Sequence, residues 1–193
     1  MELRGSKTAK NLMTSFAGET QAHARYTMFA KVARTEGYIQ VEQIFLETAR
    51  NEFEHAKLFY KYLKDQLDGQ VIDIDASFPV ALGDTRANLK SAMGGENEEH
   101  TDMYREFAKI AKDEGFEEIS KSFTEIGEVE EHHEERFKKL LRNIEEGKVF
   151  KRDKEVKWIC QNCGYVHEGE EAPVSCPACK HPQSYFKLFV EEY

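Results

Sequence analysis

The sequence predicts an all-α four-helix bundle, with a long crossover between its second and third helices, followed by a small β/loop module that binds metal. Three observations predict it. Four stretches of about thirty residues carry apolar side chains at alternating steps of three and four, the pattern of a narrow buried helical stripe. The second pair of stretches repeats the first. All four cysteines fall after Ile159, as two Cys-x-x-Cys pairs.

The 193 residues suffice for one good core plus a small module. Charged residues make up 33% and the net charge is -9, an acidic balance that suits neither nucleic acid nor an anionic membrane as partner. No apolar run approaches the roughly 18 residues of a membrane span. The N-terminal stretch Met1-Glu2-Leu3-Arg4-Gly5-Ser6-Lys7 has no apolar signal core, so the expected location is cytoplasmic. In that reducing compartment the cysteine pairs read as a metal site rather than as disulfides.

Residues 8–35 form the first predicted helix, with a seam of Leu12, Phe16, Glu19, Ala22, Tyr26, Phe29 and Ala33. Gly37 suits the left-handed position that closes it. The second helix, 38–67, has the seam Val41, Phe45, Thr48, Glu52, His55, Phe59 and Tyr62. Residues 68–84 break the pattern. Val71-Ile72-Asp73-Ile74-Asp75 alternates as an extended segment does, and Pro79 and Gly83 punctuate. So long a connection makes sense if it crosses from one end of a bundle to the other. The third helix, 85–113, turns Leu89, Ala92, Glu96, Glu99, Met103, Phe107 and Ile110 inward. The fourth, 116–146, carries Ile119, Phe123, Ile126, Glu130, His133, Phe137, Leu140 and Ile144.

The halves superimpose in sequence. Shifting the second helix by 78 carries Val41, Phe45, Glu52, His55 and Phe59 onto Ile119, Phe123, Glu130, His133 and Phe137. The first helix maps on the third at a shift of 77, which puts Gly18-Glu19 on Gly95-Glu96. A one-residue difference therefore lies between them. Among the seam carboxylates one position breaks the symmetry: Glu99 falls where the first half has Ala22.

Carboxylates or imidazoles interrupt the apolar seam at mid-helix in all four helices. Burying an unpaired carboxylate is costly, so each such group needs a partner, a proton or a metal. Glu52-x-x-His55 and Glu130-x-x-His133 each set two ligands on one helix face, and Glu-x-x-His from two helices plus a Glu from each of the others is the donor set of a di-iron carboxylate bundle. The candidate set is Glu19, Glu52, His55, Glu96, Glu99, Glu130 and His133, suited to a pair of iron ions, with manganese as the other choice. Glu52 and Glu130 are placed to bridge; Glu19 and Glu96 would be terminal. The extra Glu99 predicts two inequivalent ions and a ligand that exchanges with redox state. His23 and His100 match in the repeat but lie off the seam. Tyr26 and Tyr104 suit either core packing or hydrogen bonds to the carboxylates.

Residues 1–146 thus form the bundle, 147–156 a linker, and 157–193 the metal module. There Cys160-Gln161-Asn162-Cys163-Gly164 and Cys176-Pro177-Ala178-Cys179 make two knuckles that hold a tetrahedral ion through four thiolates, iron or zinc. At about 35 residues the module is too small for a self-sufficient core, so its metal contributes to folding.

Phe16-Ala17-Gly18-Glu19, the Glu52/His55 and Glu130/His133 pairs, Gly95-Glu96 with Glu99, and Cys160-x-x-Cys163-Gly164-Tyr165 with Cys176-Pro177-x-Cys179 together resemble one family. Over essentially its whole length the chain is similar to the rubrerythrins, a ferritin-like di-iron domain followed by a rubredoxin-like domain with one iron on four cysteines. The resemblance implies that Glu19, Glu52, Glu96, Glu99, Glu130 and both histidines ligate two irons, and that Glu99 and His55 compete for the same iron in different redox states. It implies reduction of hydrogen peroxide to water in defence against oxidative stress, with electrons from a reductase or rubredoxin fed by reduced nicotinamide. The chain has no Gly-x-Gly-x-x-Gly of its own, so that donor is external. A head-to-tail homodimer is also implied. Two departures stand out against ordinary rubredoxins: the short gap from Cys163 to Cys176, and Lys180 where Gly is common. The rival readings are a ferroxidase or iron-handling protein, and an adaptor whose four-cysteine site holds zinc.

Overall fold

The structure, a computed structural model, describes residues 2–191. Helices α1 (Lys7–Thr35) and α2 (Ile39–Leu67) form one antiparallel hairpin. The second hairpin pairs α5 (Glu117–Glu145) with a third helix in three parts: α3 (Thr85–Glu98), a π-helical turn (Glu99–Met103) and α4 (Tyr104–Asp113). The crossover between the hairpins has no regular structure, so the alternating Val71–Asp75 segment is not a strand.

Each hairpin turns through a glycine at positive φ, Gly37 at 82° and Gly115 at 77°. The same turns tie the halves together. Glu114 accepts hydrogen bonds from the backbone N–H groups of Lys7 (3.1 Å) and Thr8 (2.9 Å) and from the Thr8 hydroxyl (2.7 Å). Glu36, its counterpart in the repeat, accepts one from the Thr85 N–H at 2.9 Å. Each turn thus places a carboxylate on the N-terminus of the other hairpin's first helix, where orphan N–H groups and the helix dipole favour it.

The third helix departs from the prediction of one continuous α-helix. The Tyr104 N–H reaches back to the Glu99 carbonyl, five residues away, so one extra residue enters the turn. This accounts for the shift of 77 before it and 78 after it: Glu19 and Tyr26 are seven residues apart, Glu96 and Tyr104 eight. It also corrects the inward face. Beyond Glu99 the buried residues are Tyr104, Ala108 and Ala111, and the expected Met103, Phe107 and Ile110 are displaced to partly buried flanks, because an inserted residue rotates everything after it.

Two aromatic layers close the bundle above and below its middle. Tyr26, Phe29, Phe45 and Phe137 form one, with Phe45 and Phe137 ring centres 5.2 Å apart. Tyr104, Phe59, Phe107 and Phe123 form the other, with Phe59 and Phe123 also at 5.2 Å. These repeat-related layers keep water from the polar stratum between them.

The C-terminal module is a three-stranded antiparallel sheet in the order β2-β1-β3: β1 Lys151–Cys160, β2 Val166–Glu171, β3 Phe186–Leu188. β1 starts inside the stretch that the sequence reads as a linker. Trp158 is fully buried and donates from Nε1 to the Gly169 carbonyl at 3.0 Å. The turn Gln183–Tyr185 and β3 rest on α2 near its N-terminus, where a Cβ on Gly37 would meet Ser184.

Candidate metal centres

Between the aromatic layers lie Glu19, Glu52, Glu96, Glu130 and His133, all buried, and His55, mostly buried. Each arrives from the centre of its helix, where the seam can turn only inward. Glu52 and Glu130 stand between both imidazoles. His55 Nδ1 is 3.2 Å from Glu52 Oε2 and 2.9 Å from Glu130 Oε1; His133 Nδ1 is 3.2 Å from Glu52 Oε1 and 2.7 Å from Glu130 Oε2. Glu19 lies 3.7 Å from His55 Nδ1.

Two four-residue groups bring one ligand atom each to within 4.8 Å of one another: Glu19, Glu52, His55 and Glu130, and Glu52, Glu96, Glu130 and His133. Glu52 and Glu130 belong to both, as bridging carboxylates would. Both oxygens of each, and both Nδ1 atoms, are buried without hydrogen-bond geometry to any partner. They crowd together without pointing at one another as donor and acceptor do. Ligands of a shared ion behave this way, so the residues fit a pair of metals.

The electrostatics agree. Burial, then the charges of Glu130 and Glu52, push the Glu19 carboxyl well above its ordinary value. Glu96 and Glu99 rise for the same reasons. Burial alone would lower the histidines, but the adjacent Glu130 and Glu52 outweigh it and raise His55 to about 10 and His133 to about 9. Burial would raise Glu130, yet both imidazoles bring it down to about 2. The carboxylates thus crowd around a point where positive charge belongs, a setting that suits a metal ion.

Tyrosines complete the stratum across the halves. The Tyr26 hydroxyl donates to Glu96 Oε1 at 2.6 Å, and the Tyr104 hydroxyl donates to Glu19 Oε1. Of the two roles open to these tyrosines, both are filled: the rings pack in the aromatic layers and the hydroxyls hold carboxylates. His23 and His100 stay off the site, His23 against the Ala49 carbonyl (2.7 Å) and His100 on Glu134 (2.9 Å).

In the module the four Sγ atoms lie within 4.8 Å of one another, with Cys160–Cys179 and Cys163–Cys176 at 3.7 Å. A tetrahedral ion at about 2.3 Å from each sulfur needs sulfurs about 3.8 Å apart. Two matched knuckles hold them: Gly164 N–H bonds to the Cys160 carbonyl and Lys180 N–H to the Cys176 carbonyl, both at 2.9 Å. Gly164 has φ 79° and Lys180 φ 64°.

A family model described as Rubrerythrin matches residues 10–141, and one described as Rubrerythrin, rubredoxin-like domain matches 158–187. The chain belongs to the rubrerythrin family. It is 56% identical to the rubrerythrin of Clostridium perfringens, over 99% of this chain and 98% of that one. It is 50% identical to the rubrerythrin of Nitratidesulfovibrio vulgaris, over 96% of each. A structure of nigerythrin in a partially reduced state superimposes with a TM-score of 0.65 at 34% identity, covering 97% of this chain and 92% of that one. As a rubrerythrin the chain carries a ferritin-like di-iron site of carboxylate and histidine ligands and a rubredoxin-like four-cysteine site.

The rubrerythrin bundle here brings six of the seven candidate residues together and leaves Glu99 outside both groups, while His55 is inside. Glu99 sits on the first position of the π turn and lines a cavity of about 180 Å³ beneath crossover residues Asp75–Pro79. Sequence reasoning missed this cavity and one residue in it, Arg25, which is buried. The available signal was the repeat, in which Arg25 falls on Asp102 or Met103 and so has no basic counterpart.

Proposed function

We propose that the chain reduces hydrogen peroxide to water, H2O2 + 2 e⁻ + 2 H⁺ → 2 H2O, with Glu19, Glu52, His55, Glu96, Glu99, Glu130 and His133 holding two irons and Cys160, Cys163, Cys176 and Cys179 holding one. One observation carries this reading: a buried two-ion carboxylate site and a thiolate site occur in the same chain. A redox relay uses both, whereas iron storage has no use for the second. Two irons held there would supply the two electrons that the reduction consumes. Glu52 and Glu130, which belong to both ligand groups, would hold the two ions together and offset their charge. Tyr26 and Tyr104, kept protonated by burial and by the neighbouring carboxylates, fix Glu96 and Glu19 in orientation. No helix among the described residues is long and apolar enough to cross a membrane, which accords with a cytoplasmic enzyme served by an external reductase or rubredoxin.

A head-to-tail homodimer supports the electron route. The module rests at the N-terminus of its own α2, and His55 lies 16 residues further on, roughly 24 Å along the axis. A partner's module offers a shorter path. Phe53 and Tyr60, each about half exposed, form with Phe16 an apolar groove on the face beside His55, a surface suited to a second copy.

The test is anaerobic. The iron-loaded protein is reduced, mixed with hydrogen peroxide and followed by its thiolate-to-iron absorption. Rapid return of the colour with peroxide consumed is expected. Return with dioxygen alone would favour an oxidase or ferroxidase, and a colourless four-cysteine site would mean zinc and no relay.

A further inference from the structure

We propose that Arg25 is a positioning residue whose buried charge draws the Glu99 carboxylate away from the metals. The inference rests on the di-iron reading of the site but not on peroxide as its substrate.

Arg25 is 7% exposed, and its Nε and Nη1 are buried with no hydrogen-bond partner among the described residues. A guanidinium withdrawn from water needs an anion. Its guanidinium carbon stands 5.7 Å from the Tyr26 ring centre, and Nη2 would lie 3.9 Å from a Cβ on Gly95. Gly95 and Glu99 are four residues apart, neighbours on one helix face, so the guanidinium lies one turn from Glu99. Both side chains line the cavity under the crossover. The other acids lining it, Asp75 and Glu98, are exposed and have water for a partner. Glu99 is the partly buried one, and it stands outside both ligand groups.

The repeat makes the same point. Glu99 falls on Ala22, and Arg25 falls in the inserted turn on Asp102 or Met103, neither of them basic. An extra acid in the second half and an extra base in the first are two departures from the internal symmetry, and they face one cavity. The π turn that begins at Glu99 gives the acid a backbone free of the regular register.

The pair sets a redox preference. A ferric pair attracts the Glu99 carboxylate more strongly than a ferrous pair does. Arg25, by drawing Glu99 away, favours the reduced state. The experiment measures the midpoint potential of the di-iron site in the iron-loaded protein and in Arg25→Gln, Arg25→Lys, Glu99→Gln and the Arg25→Gln/Glu99→Gln double variant. Arg25→Gln is expected to lower the reduced-to-oxidised ratio about tenfold at a given potential, about 59 mV per electron. Arg25→Lys, which keeps charge but loses reach, should fall between. In the Glu99→Gln background the Arg25 change should have almost no effect. An equal shift with and without Glu99 would reduce Arg25 to a general field effect, and no shift in either Arg25 variant would overturn the proposal. If Arg25→Gln fails to fold, Arg25→Lys measured with and without Glu99→Gln carries the same comparison. Failure of the di-iron reading looks different: wild-type protein would bind no iron beyond the thiolate site and show only that site's potential.

Discussion

Tyr104 and Tyr26 each close one side of the carboxylate stratum with a single hydroxyl. Tyr104→Phe keeps the ring in its aromatic layer but leaves Glu19 without its donor. Losing one partner of a buried polar pair costs about 1–3 kcal/mol. Thermal unfolding of the iron-loaded variant should show a loss in that range, and peroxide-driven reoxidation should slow at full iron content. Lys180 tests a different residue-scale effect. At φ 64° it holds a left-handed backbone in a knuckle whose counterpart is Gly164, and its Nζ donation to the Pro177 carbonyl (2.9 Å) offsets only part of that strain. Lys180→Gly should stabilise the metal-loaded module, by about 1 kcal/mol or less once the glycine's greater unfolded-chain entropy is counted, measured as a rise in its unfolding midpoint.

Helix ends carry the coupling between hairpins. Burial works against the Glu114 carboxylate, but donation from the Thr8 hydroxyl and from the Thr8 and Lys7 N–H groups outweighs it and lowers its pKa. A lowered folded-state pKa means stability that is present above the unfolded value, about 4.3, and lost as pH falls through the folded value. Glu114→Gln should therefore cost about 1 kcal/mol near neutral pH, and the gap from wild type should begin to narrow in urea titrations as pH falls below about 4.3. A gap that does not narrow at all in acid would show that charge is not what the turn supplies. The π turn is the other decisive element. Shifts of 77 and 78 leave a one-residue difference somewhere between the third and fourth helices' matched positions, Glu96 and Ile119; the structure absorbs it in the helix rather than in the turn. Absorbing it rotates α4, which is why Met103, Phe107 and Ile110 fall short of the core and Tyr104 reaches Glu19.

On the scale of the molecule, a large bundle and a small module depend differently on metal. The bundle has two aromatic layers and long seams to hold it. The module buries Trp158, Ala172 and Phe186 around its cysteines and little else. Trp158 is the only tryptophan in the chain and fully buried, so its fluorescence reports on the module alone. Stripping the four-cysteine metal with a chelator under reducing conditions should shift that emission to the red, while far-ultraviolet dichroism keeps most of its helical signal. Unchanged emission would mean that the sheet holds without its ion.

Read by itself, the sequence determined the four helices, their seams, the two Glu-x-x-His motifs and the two cysteine knuckles. These are properties of spacing: a ligand pair at i, i+3 or a Cys-x-x-Cys turn is written within a few residues, and an internal repeat writes it twice. What only the tertiary structure decided joins residues that are far apart in the chain. Tyr26 reaches Glu96 and Tyr104 reaches Glu19 across the halves. Glu36 and Glu114 cap the helices of the opposite hairpin. His55 enters the ligand groups while Glu99 stays outside, and Arg25 shares Glu99's cavity. The physical reason is the same in each case: helical periodicity sets which way a side chain faces, but the partner it meets depends on how two hairpins dock, and on a single inserted residue that turns one of them.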